Sequence, residues 1–99
     1  MFKNLMFEDF KDRVGAGFVI REDEFPPLVL TLAEATALPA RFAGAGARPP
    51  FSLIFSGSLE HALPQRLYRL QHEALGDITI FLVPVGKDAQ SYSYQALFN

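Results

Sequence analysis

The pattern of alternating residues predicts a mainly β protein: a small antiparallel β-barrel or sandwich of about six strands with one short N-terminal α-helix. Three observations carry that expectation. The run Pro49-Pro50-Phe51-Ser52-Leu53-Ile54-Phe55-Ser56-Gly57 is opened by prolines, closed by a glycine, and sets Phe51, Leu53 and Phe55 on one face. Runs of the same period recur at 28–34, 67–72, 78–85 and 92–98. The gaps between most of them are short and rich in turn residues.

Phe7, Phe10 and Val14 are spaced i, i+3 and i+7, which predicts one short amphipathic helix. Glu8 and Asp9 at its start and Lys11 and Arg13 further on suit the helix dipole, and Gly15 stops it. Its apolar side is expected to cover one end or edge of the sheet, with Phe2, Leu5 and Met6 beside it. Phe18-Val19-Ile20 makes a first strand and Arg21–Glu24 a charged turn. Leu28–Glu34 follows as a second strand, with Leu28, Leu30 and Leu32 on one face, after the strand-opening Phe25-Pro26-Pro27. Together they form a hairpin. Ala35–Arg48 interleaves Ala, Gly, Pro and Arg with no period, and a loop of that length is generally functional or disordered.

Downstream of the Pro49–Gly57 strand, Ser58–Gln65 is a connection, and Tyr68, Leu70 and His72 share one side of the next strand. Ile78–Val85, after the Glu73–Asp77 turn, is apolar on nearly both faces, which predicts a central or covered strand. Gly86–Gln90 turns the chain again, and Tyr92, Tyr94, Ala96 and Phe98 share a face of the last strand. Six such strands suggest an antiparallel meander, closed or stacked so as to hide its edges.

Ninety-nine residues make a single β domain, 1–99, which buries roughly two-thirds of its unfolded surface. Hydrophobic residues are 49% of the chain and charged residues 20%, with ten Phe against three Tyr. So much Phe implies a dense aromatic core or an interface. A net charge of -2 with no basic stripe argues against nucleic acid. The lack of cysteine excludes disulfides and thiolate metal sites. No stretch reaches the roughly 20 apolar residues of a membrane helix, and Met1–Phe10 lacks the apolar run of a signal peptide. A soluble, cytoplasmic protein with no membrane partner is expected.

A further pattern runs through the chain. It comprises Arg48-Pro49-Pro50-Phe51-Ser52-Leu53-Ile54-Phe55, Leu63-Pro64-Gln65, Tyr68-Arg69-Leu70 with His72, Leu75-Gly76, Phe81-Leu82-Val83-Pro84-Val85-Gly86 and Tyr94-Gln95-Ala96-Leu97-Phe98-Asn99, with Phe10, Val14-Gly15 and Phe18 upstream. It resembles an uncharacterised bacterial family of about a hundred residues, a domain of unknown function loosely associated with tail-collar and phage-tail-like gene contexts. The resemblance implies a structural or interaction role and brings no catalytic residue.

Candidate chemistry is sparse. Glu60-His61 and His72-Glu73 are the two His/acid pairs, and a metal site needs three or four converging ligands. Ser56-Gly57-Ser58 lacks the flanking glycines of a nucleophile elbow and reads as a β-turn. Gly15-Ala16-Gly17 and Gly44-Ala45-Gly46 are too short to cradle phosphate. Arg48, Arg66 and Arg69 could form an anion patch, although a solvated face with cross-strand charge pairs is the plainer reading. Tyr92 and Tyr94 suit either an exposed aromatic edge or the core. No catalytic, cofactor or metal residue is assigned and no enzyme activity is expected. Tyr92, Tyr94, Arg48, Arg69 and His72 are the candidate interaction residues. The expected function is a small structural or protein-interaction module that assembles with itself or with a larger partner. The alternative is a barrel that encloses a small apolar ligand.

Overall fold

The computed structural model describes residues 5–39, 41 and 48–99. Six strands, β1 (Gly17–Ile20), β2 (Leu28–Ala37), β3 (Phe51–Gly57), β4 (Arg66–His72), β5 (Gly76–Lys87) and β6 (Tyr92–Phe98), form a closed antiparallel barrel. Around the ring the order is β1-β2-β3-β6-β5-β4, and this closure makes the fold a barrel rather than a sandwich, between which alternation alone does not distinguish. The ring is not the simple meander expected. Two three-stranded meanders, β1–β3 and β4–β6, are joined along β3–β6, and the 58–65 connection crosses one end to link them. With antiparallel pairing throughout, that connection and the β1–β2 and β5–β6 turns gather at the upper end. The N-terminal segment, the β4–β5 turn and the end of β6 gather at the lower end.

Each strand turns one set of side chains inward. β3 alternates from Phe51 to Gly57 with every odd-numbered residue buried, and β4 buries Tyr68, Leu70 and His72. A six-stranded barrel is narrow enough for side chains alone to fill it. Phe18, Phe55, Leu30, Leu32, Leu53, Leu70, Ile80 and Leu82 occupy the interior, all 2% exposed or less. Phe18 meets Phe55 edge-on with ring centroids 5.4 Å apart, a favoured aromatic geometry.

β2 runs on to Ala37, beyond the Glu34 limit read from the pattern. A register shift between Leu32 and Glu34 moves the inward phase from even to odd residues, so Ala35 rather than Thr36 leans towards the core. The unpatterned loop accordingly begins after Ala37. Ala40 and residues 42–47 of it lie outside the described residues.

The N-terminal helix is a correction. Only Phe7–Asp9 is helical, as a single 3-10 turn, and single turns follow it, closed by Arg13 N–H to the Phe10 carbonyl at 2.9 Å and Ala16 N–H to the Arg13 carbonyl at 2.9 Å. Asp9 accepts from the Met6 N–H at 2.8 Å and ties the turn to itself. An eight-residue helix is marginal on propensity alone, and tertiary packing overrides it here. Phe10 is fully buried against the rings of Phe51, Phe98 and Phe18, at centroid distances of 5.8, 5.9 and 6.2 Å. Val14, expected on the same face, is 54% exposed. The segment does cover one end of the sheet, as a plug of successive turns rather than a rod, with Leu5 buried beside it. Phe2 lies outside the described residues.

Ile78–Val85 is also less covered than its composition suggests. Ile78, Ile80 and Leu82 face inward, but Phe81 is 46% and Val85 52% exposed. Gly57, read as a turn, is instead the last inward position of β3. A Cβ there would stand 2.7 Å from Leu30 Cδ2 and 3.2 Å from Tyr94 Cε2. Gly57→Ala is therefore expected to cost about 1–3 kcal/mol by overpacking, read as a lower midpoint in chemical denaturation. An unchanged midpoint would show that Leu30 swings aside freely.

Candidate functional site

The candidate residues separate between the two ends of the barrel. At the upper end Arg66 and Arg69 project from β4 towards the β1–β2 turn. Glu22 lies 3.3 Å from the Arg66 guanidinium and 3.8 Å from that of Arg69, Glu24 is 3.7 Å from Arg66, and Asp23 is 3.8 Å from Arg69. Glu22 also accepts the Arg69 backbone N–H at 2.7 Å. Arg66 covers the Tyr68 ring at 4.7 Å. These cations meet the acids of the neighbouring turn, a charge-paired surface like the plainer of the two readings, although the acids come from a turn and not from a facing strand.

Arg48 is at the other end and does not join them. Its Nη1 donates to the Leu5 carbonyl at 2.9 Å, and its guanidinium lies 5.3 Å from the Phe98 ring and 5.9 Å from the Phe51 ring. Those two rings stack 4.5 Å apart, 6° from parallel. Arg48 therefore clamps the N-terminal plug onto β3 and β6, a cation–π role that a lone Arg before two prolines gives no means of reading from sequence.

Tyr94 is core, 1% exposed, and Tyr92 is half-buried beside it at 6.3 Å between centroids. The Tyr94 hydroxyl accepts from the Leu63 N–H at 3.0 Å and donates to the His61 carbonyl at 3.4 Å. The Tyr68 hydroxyl donates to the Pro64 carbonyl. The two phenols thus bind the 58–65 crossover to the barrel, and burial raises the pKa of each. His61 is on this upper connection and His72 ends β4 at the lower end, so the two do not converge. Among the described residues no group of three or more His, Asp or Glu is placed to hold a metal ion.

Among the described residues, His72 is the buried polar side chain of the core. Its ring stacks on Phe18 at 4.6 Å. Its Nδ1 accepts from the backbone N–H groups of Ala74 and Leu75 at 3.0 and 3.2 Å and so shapes the β4–β5 turn, which closes through Gly76 at φ +75°. A ring nitrogen that accepts carries no proton, which places the neutral ring's proton on Nε2. Burial, with the Arg13 cation second, pushes the His72 pKa below its usual value, against a smaller opposing effect of Glu73.

This histidine borders the weakest joint of the ring. β1 and β4 share two residue pairs, Val19↔Gln71 and Ile20↔Leu70, against four to seven for the other neighbours. Arg21 N–H reaches the Arg69 carbonyl at 2.9 Å above them. Antiparallel bonds recur at every second pair, so the next rung below would join Gly17 to Glu73. That pair does not form. A cavity of about 750 Å³ opens in its place, lined by Arg13, Gly17, Val19, His72, Glu73 and Gly76 among others.

On the outer wall, Leu67 on β4 and Phe81 on β5 are direct cross-strand partners, 58% and 46% exposed. Leu97, 55% exposed, stands on β6 two residues beyond Gln95, where the β5–β6 pairing ends at Val83↔Gln95. Large apolar side chains are thus exposed on each of three neighbouring strands, two of them as a direct pair.

Fold and surfaces together define a small, closed, six-stranded β-barrel domain with a filled interior. Residues 5–98 match DUF6916, a domain of unknown function, and the chain belongs to that family. No curated protein and no solved structure matches it. No helix among the described residues is long and apolar enough to cross a membrane.

Proposed function

We propose that this domain is a non-catalytic protein-interaction module that assembles through the outer face of β4, β5 and β6, with a second copy of itself or with a larger partner. The exposed pair Leu67 and Phe81, with Leu97 exposed on the neighbouring β6, carries the reading, because large apolar side chains grouped on one face in water mark an interface more than an ordinary surface. Edge-to-edge pairing along β5 is a poor alternative. The ring is closed, and the stretch of β5 that runs past β4 contains Pro84, which has no N–H to donate. The tail-collar and phage-tail-like contexts associated with the resembling family agree with a small assembly component. Enclosure of an apolar ligand is disfavoured by the Phe, Leu and Ile side chains that fill the interior.

Light scattering over a wide concentration range tests the proposal. A mass above that of the 11.0 kDa chain is expected, reverting to the monomer in Phe81→Glu, which should still unfold cooperatively but with a midpoint that no longer depends on protein concentration. A wild-type chain that stays monomeric at every concentration, or a Phe81→Glu variant that associates as the wild type does, would overturn self-assembly through this face.

A further inference from the structure

We propose that the cavity at the β1–β4 joint binds a carboxylate group, held between the Arg13 guanidinium and the Nε2–H of His72. The site lies at the opposite end of β4 from Leu67 and stands independently of the assembly reading.

The donors are preset. The two backbone amides on Nδ1 hold the imidazole in one tautomer and one orientation, with Phe18 stacked behind it. No acceptor for Nε2 is present among the described residues, and Nε2 is not among their buried unpartnered atoms, so its hydrogen is available from the cavity that His72 lines. Arg13 is steadied from the other side. Its Nε donates to the Asp9 carbonyl at 2.8 Å, and no carboxylate among the described residues lies within ion-pair distance of it. Its terminal nitrogens offer the planar fork that fits a carboxylate. Glu73 on the rim places one negative charge beside the site, which weakens the hold on any anion, and the planar two-oxygen edge of a carboxylate is what the Arg13 fork matches. The missing Gly17–Glu73 rung adds a second feature. Gly17 keeps a backbone N–H and C=O aimed across the joint, and an extended peptide can pair with such groups as a strand does. The carboxylate can thus come from a free small acid or from the C-terminus of a polypeptide.

NMR titration of the full chain at pH 7 and fixed ionic strength decides the matter, read at the His72 ring and the Gly17 amide. The probes are acetate, a blocked tri-alanine peptide with a free C-terminus, the same peptide amidated, and inorganic phosphate. Saturable shifts with acetate or the free-terminus peptide, absent with the amidated peptide, are expected. Acetate and peptide binding equally would identify a small acid as the natural source, and a peptide binding at least roughly tenfold tighter, with a Gly17 shift, would identify a chain terminus. Arg13→Gln should weaken binding roughly tenfold or more. Because that variant could loosen the N-terminal plug, Glu73→Gln supplies the second arm: on the exposed rim it should tighten binding several-fold. The proposal is overturned by shifts that never saturate, by phosphate matching acetate, or by affinity that is indifferent to Glu73→Gln.

Discussion

Phe10→Ala is expected to cost about 3–5 kcal/mol. Phe10 is fully buried and touches three other rings, two of which, Phe51 and Phe98, also lie under Arg48. Its removal leaves a void that the stacked pair cannot fill without giving up its own geometry. For a domain of this length, that loss lowers the thermal midpoint by roughly 12–40 °C and consumes a large share of the 5–15 kcal/mol typical of total stability. Phe10→Leu keeps most of the apolar volume and should lose far less. Chemical denaturation of both variants checks the expectation. A loss below about 1 kcal/mol for Phe10→Ala would mean that the N-terminal segment does not seat in the barrel in solution.

His72→Ala should follow, at about 2–4 kcal/mol. Two backbone N–H groups lose their acceptor, at about 1 kcal/mol each, and Phe18 loses its stacked neighbour. His72→Asn separates the two parts, because its Oδ1 can stand where Nδ1 accepts, so that variant should recover the turn but not the stacking. The histidine also predicts a pH dependence. Its folded pKa is lowered, mainly by burial and then by Arg13, while the unfolded value stays near about 6.5. The unfolded chain then binds more protons, so stability is fully present above about 6.5 and is lost as pH falls from there through the folded pKa. Protonated, Nδ1 would become a donor facing two donors. Denaturation midpoints between pH 5 and 7.5 should fall with acid in the wild type and flatten in His72→Asn; identical slopes would remove His72 as the cause.

Much of this barrel is legible in the alternation of its residues. The inward sets Phe51/Leu53/Phe55, Tyr68/Leu70/His72 and Tyr94/Ala96 follow directly from a period of two. What escapes the pattern has identifiable physical causes. The register shift past Leu32 changes the phase of β2 without any glycine or proline to announce it. The i, i+3, i+7 spacing of Phe7, Phe10 and Val14 implies a helix, but aromatic packing on Phe10 is worth more than the propensity of eight residues. Ring order is set by which strands meet after the 58–65 crossover, a long-range matter that local composition does not encode. The candidate residues fare in the same way. Tyr92 and Tyr94 are placed by alternation, whereas the clamp at Arg48 and the turn acceptor at His72 depend on partners 43 residues away in one case and on turn geometry in the other. A histidine two residues before an amide in a tight turn is the one signal that could have pointed to the second.

The unequal joints of the ring bear on how the molecule assembles in time. Each meander is made of neighbours in the chain and can form early, but both joints between meanders must wait for distant segments to meet. β3 and β6 meet along seven pairs and can hold once formed, while β1 and β4 meet along two. The barrel is therefore a clasp with one stout hinge and one slender latch. It can breathe open at the latch while both three-stranded leaves stay folded, and the cavity beside His72 is where that motion would first admit a visitor.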